Sequence, residues 1–122
     1  EIIYSGNLNM ENKEFNLIVN LSEDGWFNKS IGTYQHFYHS KFRAIEEGKQ
    51  VIRATNQGIT ASILPNGIVV NSRQFNQKGK IVSEGFTLKK KTLFSQYGNI
   101  ILSLLIIILL VLQNIFERIK RE

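Results

Sequence analysis

The 122-residue chain contains no cysteine, and that absence excludes disulfides, thiolate metal sites and a cysteine nucleophile supplied by these residues themselves. It also lacks a glycine-rich loop able to cradle phosphate. Its aromatic residues form no stacking pattern suited to nucleic acid, so no nucleic-acid partner is expected. His36 and His39 lie three apart, but no Asp, Glu or Cys is placed to complete a metal site with them, and neither a metal nor another cofactor is expected. There is no internal repeat, and no low-complexity stretch outside one apolar run.

That run dominates the C-terminal end. From Gly98 to Phe116, 14 of 19 residues are Ile, Leu, Val or Phe, and between Ile100 and Leu112 only Ser103 is polar. A hydrocarbon core of about 30 Å crossed at about 1.5 Å per residue needs about 20 such residues. Summed residue by residue, insertion is favourable by about 4–8 kcal/mol, less what Asn99, Gln113 and Asn114 cost near the ends. The sequence therefore predicts a transmembrane helix over 98–116, followed by a short basic tail over 117–122. The alternative, a helix buried in a protein core, would need more surrounding protein than this chain has to offer. The residues before it, 1–97, suffice for one modest domain.

The net charge is +5, and part of it flanks the span: Lys89, Lys90 and Lys91 before, Arg118, Lys120 and Arg121 after. Such charge suits lipid headgroups better than nucleic acid. Four Lys or Arg in 80–99 against three in 117–122 leave the helix unoriented by charge bias alone. The chain opens on Glu1 rather than Met, with Ile2 and Ile3 following, and is expected to be a piece whose upstream part lies elsewhere.

Within 1–97, Phe15 to Leu21 reads as a buried strand after a polar loop. From Thr33 to Glu47, Tyr34, Phe37, Phe42 and Ile45 recur near the helical period, with Thr33 as N-cap and Gly48 as stop. Four β-rich runs follow, Gln50 to Thr55, Ile59 to Leu64, Ile68 to Ser72 and Ile81 to Leu88. The Asn66-Gly67 step predicts a hairpin with a type I′ turn. Strand, helix, strands and a final apolar helix together predict a mixed α/β sandwich.

The loop Ser22-Glu23-Asp24-Gly25-Trp26-Phe27 leaves the first strand, where rigidly supported site residues commonly sit. Asp24, Trp26 and Phe27 could line a pocket; alternatively the aromatics plug the edge of the core and Asp24 caps a turn. Arg43 and Glu46 read most simply as a surface ion pair. His36 reads as a hydrogen-bonding residue at the helix start, and Arg53 and Asn56 as organisers of the turn around the pocket.

Four segments in order carry a resemblance: Glu23-Asp24-Gly25-Trp26-Phe27, Gln35-His36-Phe37, Arg43-Ala44-Ile45-Glu46, and Arg53-Ala54-Thr55-Asn56-Gln57-Gly58-Ile59-Thr60-Ala61. With Tyr97-Gly98-Asn99 before the span, residues 1 to 116 resemble the C-terminal part of the bacterial apolipoprotein N-acyltransferase family, within the nitrilase or carbon-nitrogen hydrolase superfamily. Its stretches read approximately Ser-Asn-Asp-Ala/Gly-Trp-Phe-Gly, Gln-His-Phe, Arg-Ala-Leu/Ile-Glu and Arg-Ser/Ala-Thr-Asn-Asn/Thr-Gly-Ile-Thr-Ala. Three positions depart: Glu23 stands for Asn and adds a charge, Asn28 stands for Gly, and Thr33 for a frequent Pro.

The resemblance implies a fold and a function. The fold would be the C-terminal portion of a nitrilase-like α-β-β-α sandwich with one transmembrane helix behind it. The function would be transfer of an acyl chain from a membrane phospholipid to the N-terminal amine of an apolipoprotein through a cysteine thioester, using a Glu, a Lys and a Cys. In that family the cysteine opens a Cys-Tyr-Glu run, so Glu1 matches the third residue and would support a thiol two positions upstream. Asp24, Trp26, Phe27, Arg53 and Asn56 become substrate-pocket candidates. The resemblance further implies the bacterial inner membrane, a multi-pass full-length protein, a periplasmic sandwich and a cytoplasmic C-terminus. The chain alone would be inactive. Two other readings stay open: a membrane-anchored amidase of the nitrilase class, and a non-catalytic tail-anchored remnant or half of a split gene.

Overall fold

In a computed structural model of the chain, the residues described are 2–6, 8, 14–86 and 91–121. Four strands form one mixed sheet in the order β1-β2-β3-β4, with β1 at Leu17–Ser22, β2 at Gln50–Thr55, β3 at Thr60–Ile63 and β4 at Val69–Arg73. β1 and β2 run parallel, Asn20 opposite Arg53, and the connection between them is the helix α1, Ile31–Glu47. Parallel neighbours require such a crossover, and hairpins suffice for the rest. β2, β3 and β4 are accordingly antiparallel. Two further helices follow, α2 at Leu93–Tyr97 and α3 at Ile100–Arg121.

The sheet-helix layer is sealed by Ala44 of α1 against Val51, Ala61 and Ile63, joined by Ile2 and Ile59. Alternation fixes the faces. Ile18, Asn20 and Ser22 of β1 lie toward α1, while Leu17, Val19 and Leu21 stand exposed on the other side.

The strand expected to be buried over Phe15 to Leu21 runs Leu17–Ser22 with Asn20 as its one buried residue, and four further expectations need correction. The cap of α1 is Ser30, whose side chain accepts from the Gly32 backbone N–H, one turn before the predicted Thr33. Thr33 instead donates its hydroxyl to the Asn28 carbonyl at 2.8 Å. The hairpin exists, but its turn is not type I′, because Pro65 holds φ negative and only Gly67 takes a positive φ, +81°. Leu64 accepts from the Gly67 N–H at 2.8 Å, and Pro65-Asn66-Gly67 form the three-residue connection that ends on a left-handed residue. The run expected as a strand from Ile81 is irregular over 81–86, and its last two residues lie outside those described. Its polar groups still cross the open face of the sheet, where Gln50 Nε2 donates to Ser83 Oγ at 3.0 Å and the Phe86 N–H donates to Gln50 Oε1 at 2.7 Å.

The fourth correction concerns which side of α1 is buried. Tyr34, Phe42 and Ile45 face outward, whereas Thr33, His36, Ser40, Arg43, Ala44 and Glu47 are the buried set. Arg43 is therefore no surface residue. It is 4% exposed and grips Glu46 with two nitrogens, at 2.9 and 3.0 Å.

Candidate functional site

At the carboxyl ends of the parallel strands β1 and β2, two loops meet: 23–30, leading into α1, and 56–59, joining β2 to β3. Asp24 sits at their junction, wholly buried. Its Oδ2 pairs with Arg53 Nη2 at 2.6 Å and its Oδ1 with His36 Nδ1 at 2.8 Å. A buried carboxylate is tolerated only when paired and hydrogen-bonded, and Asp24 has both kinds of partner.

Arg53 is as deeply enclosed, and each of its three nitrogens has a partner. Nη1 donates to Ser22 Oγ at 3.0 Å and Ser40 Oγ at 3.1 Å, and Nε to the Ile59 carbonyl at 3.3 Å. Burial pushes the guanidinium below its ordinary value, against which Asp24 acts through both its hydrogen bond and its charge. Asn20 extends the network by donating to Ser40 Oγ at 3.2 Å. The loop turn, the last residues of β1, the first half of α1 and the β2–β3 turn are thus bound to one guanidinium and one carboxylate.

The rim is tied separately. Asn56 Oδ1 accepts from the Asp24 backbone N–H at 3.1 Å and from the Gln57 N–H at 2.8 Å. Its amide nitrogen donates to Glu23 Oε1, which also accepts from the Gly25 N–H at 2.8 Å. The extra charge at Glu23 is therefore absorbed by two donors. Asn28 adopts φ of +47° with ψ of −148°, outside the left-handed helical region that Asn favours and close to one that glycine takes most readily.

On this fixed base stands a single 3-10 turn, Gly25–Phe27. Trp26 is 84% exposed, and Phe27 leans edge-on against His36 with ring centroids 5.6 Å apart. Of the pocket candidates, then, Asp24, Arg53 and Asn56 hold the loops together from within, and the two aromatics form the surface they hold. Asp24 makes no side-chain cap, and Trp26 plugs no core edge. Glu1 lies outside the described residues, as do Lys89 and Lys90; Lys91 lies 3.8 Å from Glu14.

Sequence reasoning missed Gly58. A Cβ there would fall within 2.6 Å of Asp24 Cγ and 2.7 Å of its Cβ, overlapping the carboxylate. It also missed the supporting hydroxyls of Ser22 and Ser40. The glycine had a local signal, its place in the Asn56-Gln57-Gly58 turn; the serines had none, since their partners lie far along the chain. Among the described residues, no group of three or more His, Cys, Asp or Glu side chains could hold a metal ion.

Comparison with known proteins extends over the same residues. A family profile described as Carbon-nitrogen hydrolase matches residues 1–87. The apolipoprotein N-acyltransferase of Rickettsia bellii (strain RML369-C) is 33% identical over 121 residues, which is 97% of this chain and 24% of that protein. The protein of that name from Rickettsia prowazekii (strain Madrid E) is 34% identical over 125 residues, 100% of this chain and 25% of its own length. That from Wigglesworthia glossinidia brevipalpis is 35% identical, over 98% of this chain and 24% of its own. The chain spans about a quarter of the length of the curated relatives it matches.

Proposed function

The chain belongs to the carbon-nitrogen hydrolase family, and on that premise we propose that it forms the C-terminal quarter of an apolipoprotein N-acyltransferase. The observation that carries this reading is similarity at 33–35% identity running through nearly the whole chain, apolar helix included, to proteins of that name. In this reading residues 1–97 are part of the catalytic domain, 98–116 cross the membrane and 117–122 form a basic tail. The apolar helix α3 is long enough for that role by length and composition. The catalytic domain stands on the periplasmic side of a bacterial inner membrane, and Arg118 to Glu122 reach the cytoplasm.

The chemistry divides between this chain and residues upstream. A cysteine thiolate two positions before Glu1 attacks the ester carbonyl of a phospholipid, a C–S bond forms, and the lysophospholipid leaves as its alcohol takes a proton. The free α-amine of a lipoprotein's N-terminal residue then attacks the thioester, forming the amide and returning the thiol. An upstream Glu moves the proton and an upstream Lys stabilises the oxyanion. Glu1 supports the thiol from the same strand end. This chain's own part is to present Trp26 and Phe27 as an apolar wall for the acyl chain, on loops that Asp24, Arg53, His36 and Asn56 hold rigid. Such pre-positioning lowers the barrier without any new covalent chemistry.

Expression of the complete reading frame that contains this chain, in lipid nanodiscs with a phospholipid donor and a diacylated lipopeptide acceptor, tests the proposal. The expected product is the lipopeptide heavier by one acyl group on its amine, lost when the upstream cysteine becomes alanine. A second reading, a membrane-anchored amidase, is favoured by the profile of C–N bond hydrolases over residues 1–87. Release of ammonia from an amide without acyl transfer would establish it and sink the first.

A further inference from the structure

Helix α1 is amphipathic in the reverse of the usual sense. Its inward positions are mostly polar, while Ile31, Tyr34, Tyr38, Phe42 and Ile45 stand outward, between 46% and 73% exposed. Their spacings of three, four, four and three residues place all five within an arc of about 80° at 3.6 residues per turn. Scattered exposed apolar residues are ordinary, but a continuous stripe of five marks a contact surface.

We propose that this stripe rests on the surface of a phospholipid bilayer, so that α1 is an interfacial helix of the membrane-bound protein. The inference rests on the reading that α3 crosses the membrane and that the Trp26 loop handles an acyl chain. Under that reading both ends of α1 are brought to the bilayer. At its C-terminal end, the Thr92 hydroxyl donates to the Glu46 carbonyl, and α2 begins there and leads through Gly98 into α3. At its N-terminal end, the chain enters from the Gly25–Phe27 turn through Ser30. A 17-residue helix spans about 25 Å, and with both ends at the bilayer it lies along it.

The composition of the stripe and its borders fits that occupant. Tyrosine combines an apolar ring with a hydroxyl that belongs among headgroups. The stripe carries no carboxylate, and Lys41, whose Nζ lies 5.3 Å above the Tyr38 ring, borders it, with Lys29 exposed just before the helix. These suit lipid phosphates. Leu93 and Tyr97 of α2, both exposed, continue the apolar border toward α3.

The test places the photo-crosslinker benzoylphenylalanine, one position at a time, at Tyr38, Phe42, Leu105 and Lys78 of the complete protein in phospholipid vesicles. Adducts are then identified by mass. Leu105 lies in α3, and Lys78 is an exposed loop residue. Phospholipid adducts are expected at Tyr38 and Phe42 as at Leu105, with yields clearly above that at Lys78. Crosslinks from Tyr38 and Phe42 to protein, whether a second copy or another part of the same chain, overturn the inference while lipid adducts at Leu105 keep the membrane reading. So does the absence of any adduct at both positions. No lipid adduct at Leu105 overturns the membrane reading, and this inference with it.

Discussion

A methyl group at Gly58 would occupy the space of the Asp24 side chain, so Gly58 and Asp24 form a pair that neither position reveals alone. Gly58→Ala is expected to cost about 1–3 kcal/mol through overpacking. Asp24→Ala leaves the Arg53 guanidinium buried without its carboxylate and should cost about 3–5 kcal/mol. Because the alanine side chain removes much of the obstruction, the double variant should lose less than the sum. Thermal unfolding of the four proteins measures this coupling, and strict additivity would refute the contact. Glu47 titrates at the C-terminal end of α1's polar face. Burial, reinforced by the charge of Glu46 and opposed by Arg43 and Lys49, raises its carboxyl above the ordinary 4.5. The folded protein then binds that proton more tightly than the unfolded chain. Its contribution to stability is largest at acid pH and declines as pH rises from the unfolded value through the raised folded one. Glu47→Gln should flatten that slope in unfolding midpoints followed between about pH 4 and 8, leaving other carboxylates to act with the opposite sign.

At the scale of elements, four of the five expected strands and the stop of α1 were legible because their signals are local. Gln50 to Thr55 has β-branched residues between turn residues, and Gly48 ends the helix in a left-handed conformation, φ +62°. The start of α1 was misread because Ser30 and Thr33 are both competent caps, and the choice depends on the Asn28 carbonyl that engages Thr33. Ser30→Ala should therefore lower stability by about 1 kcal/mol. The inward face was misread for a deeper reason. Periodicity assigns apolar residues to the core, but the layer beneath the first half of α1 is built around Asp24 and Arg53, 29 residues apart in sequence, and demands polar partners from His36 and Ser40. The candidate site was legible as a set of residue types and not as an arrangement. Asp24 and Trp26 are two positions apart, yet one is enclosed and the other is almost free in solvent. If the complete protein is the acyltransferase proposed above, Trp26→Ala is accordingly expected to leave the unfolding midpoint nearly unchanged and to weaken use of long-chain donors, seen as a raised KM. Asp24→Asn should lower kcat and stability together. A Trp26 variant with wild-type kinetics on every chain length would remove that residue from the acyl wall.

For the whole molecule, the decisive question is whether α3 is held by lipid or by protein. Every residue from Ile100 to Lys120 whose exposure is described stands open, and no Asp, Glu, Lys or Arg occurs between Ile100 and Phe116. An insertion free energy of about −4 to −8 kcal/mol should absorb one central lysine, because exchanging an apolar residue for Lys costs about 3–4 kcal/mol on the same scale. Two exchanges, costing about 6–8 kcal/mol, use up most or all of the total. The segment 98–116, placed in a host protein and scored for membrane integration, should remain mostly inserted with Ile107→Lys and fall to partial or no insertion when Leu104→Lys is added. A helix that belongs in a protein core gives a different result, failing already at the first lysine because its margin is smaller. The same margin bears on α1. The proposed contact of the outward stripe, Ile31 to Ile45, with lipid rests on α3 being such a span. Loss of insertion on the first substitution would thus weaken the bilayer as the partner of α3 and of α1 together, whereas the two-step response would leave the crosslinking at Tyr38 and Phe42 to decide α1 alone.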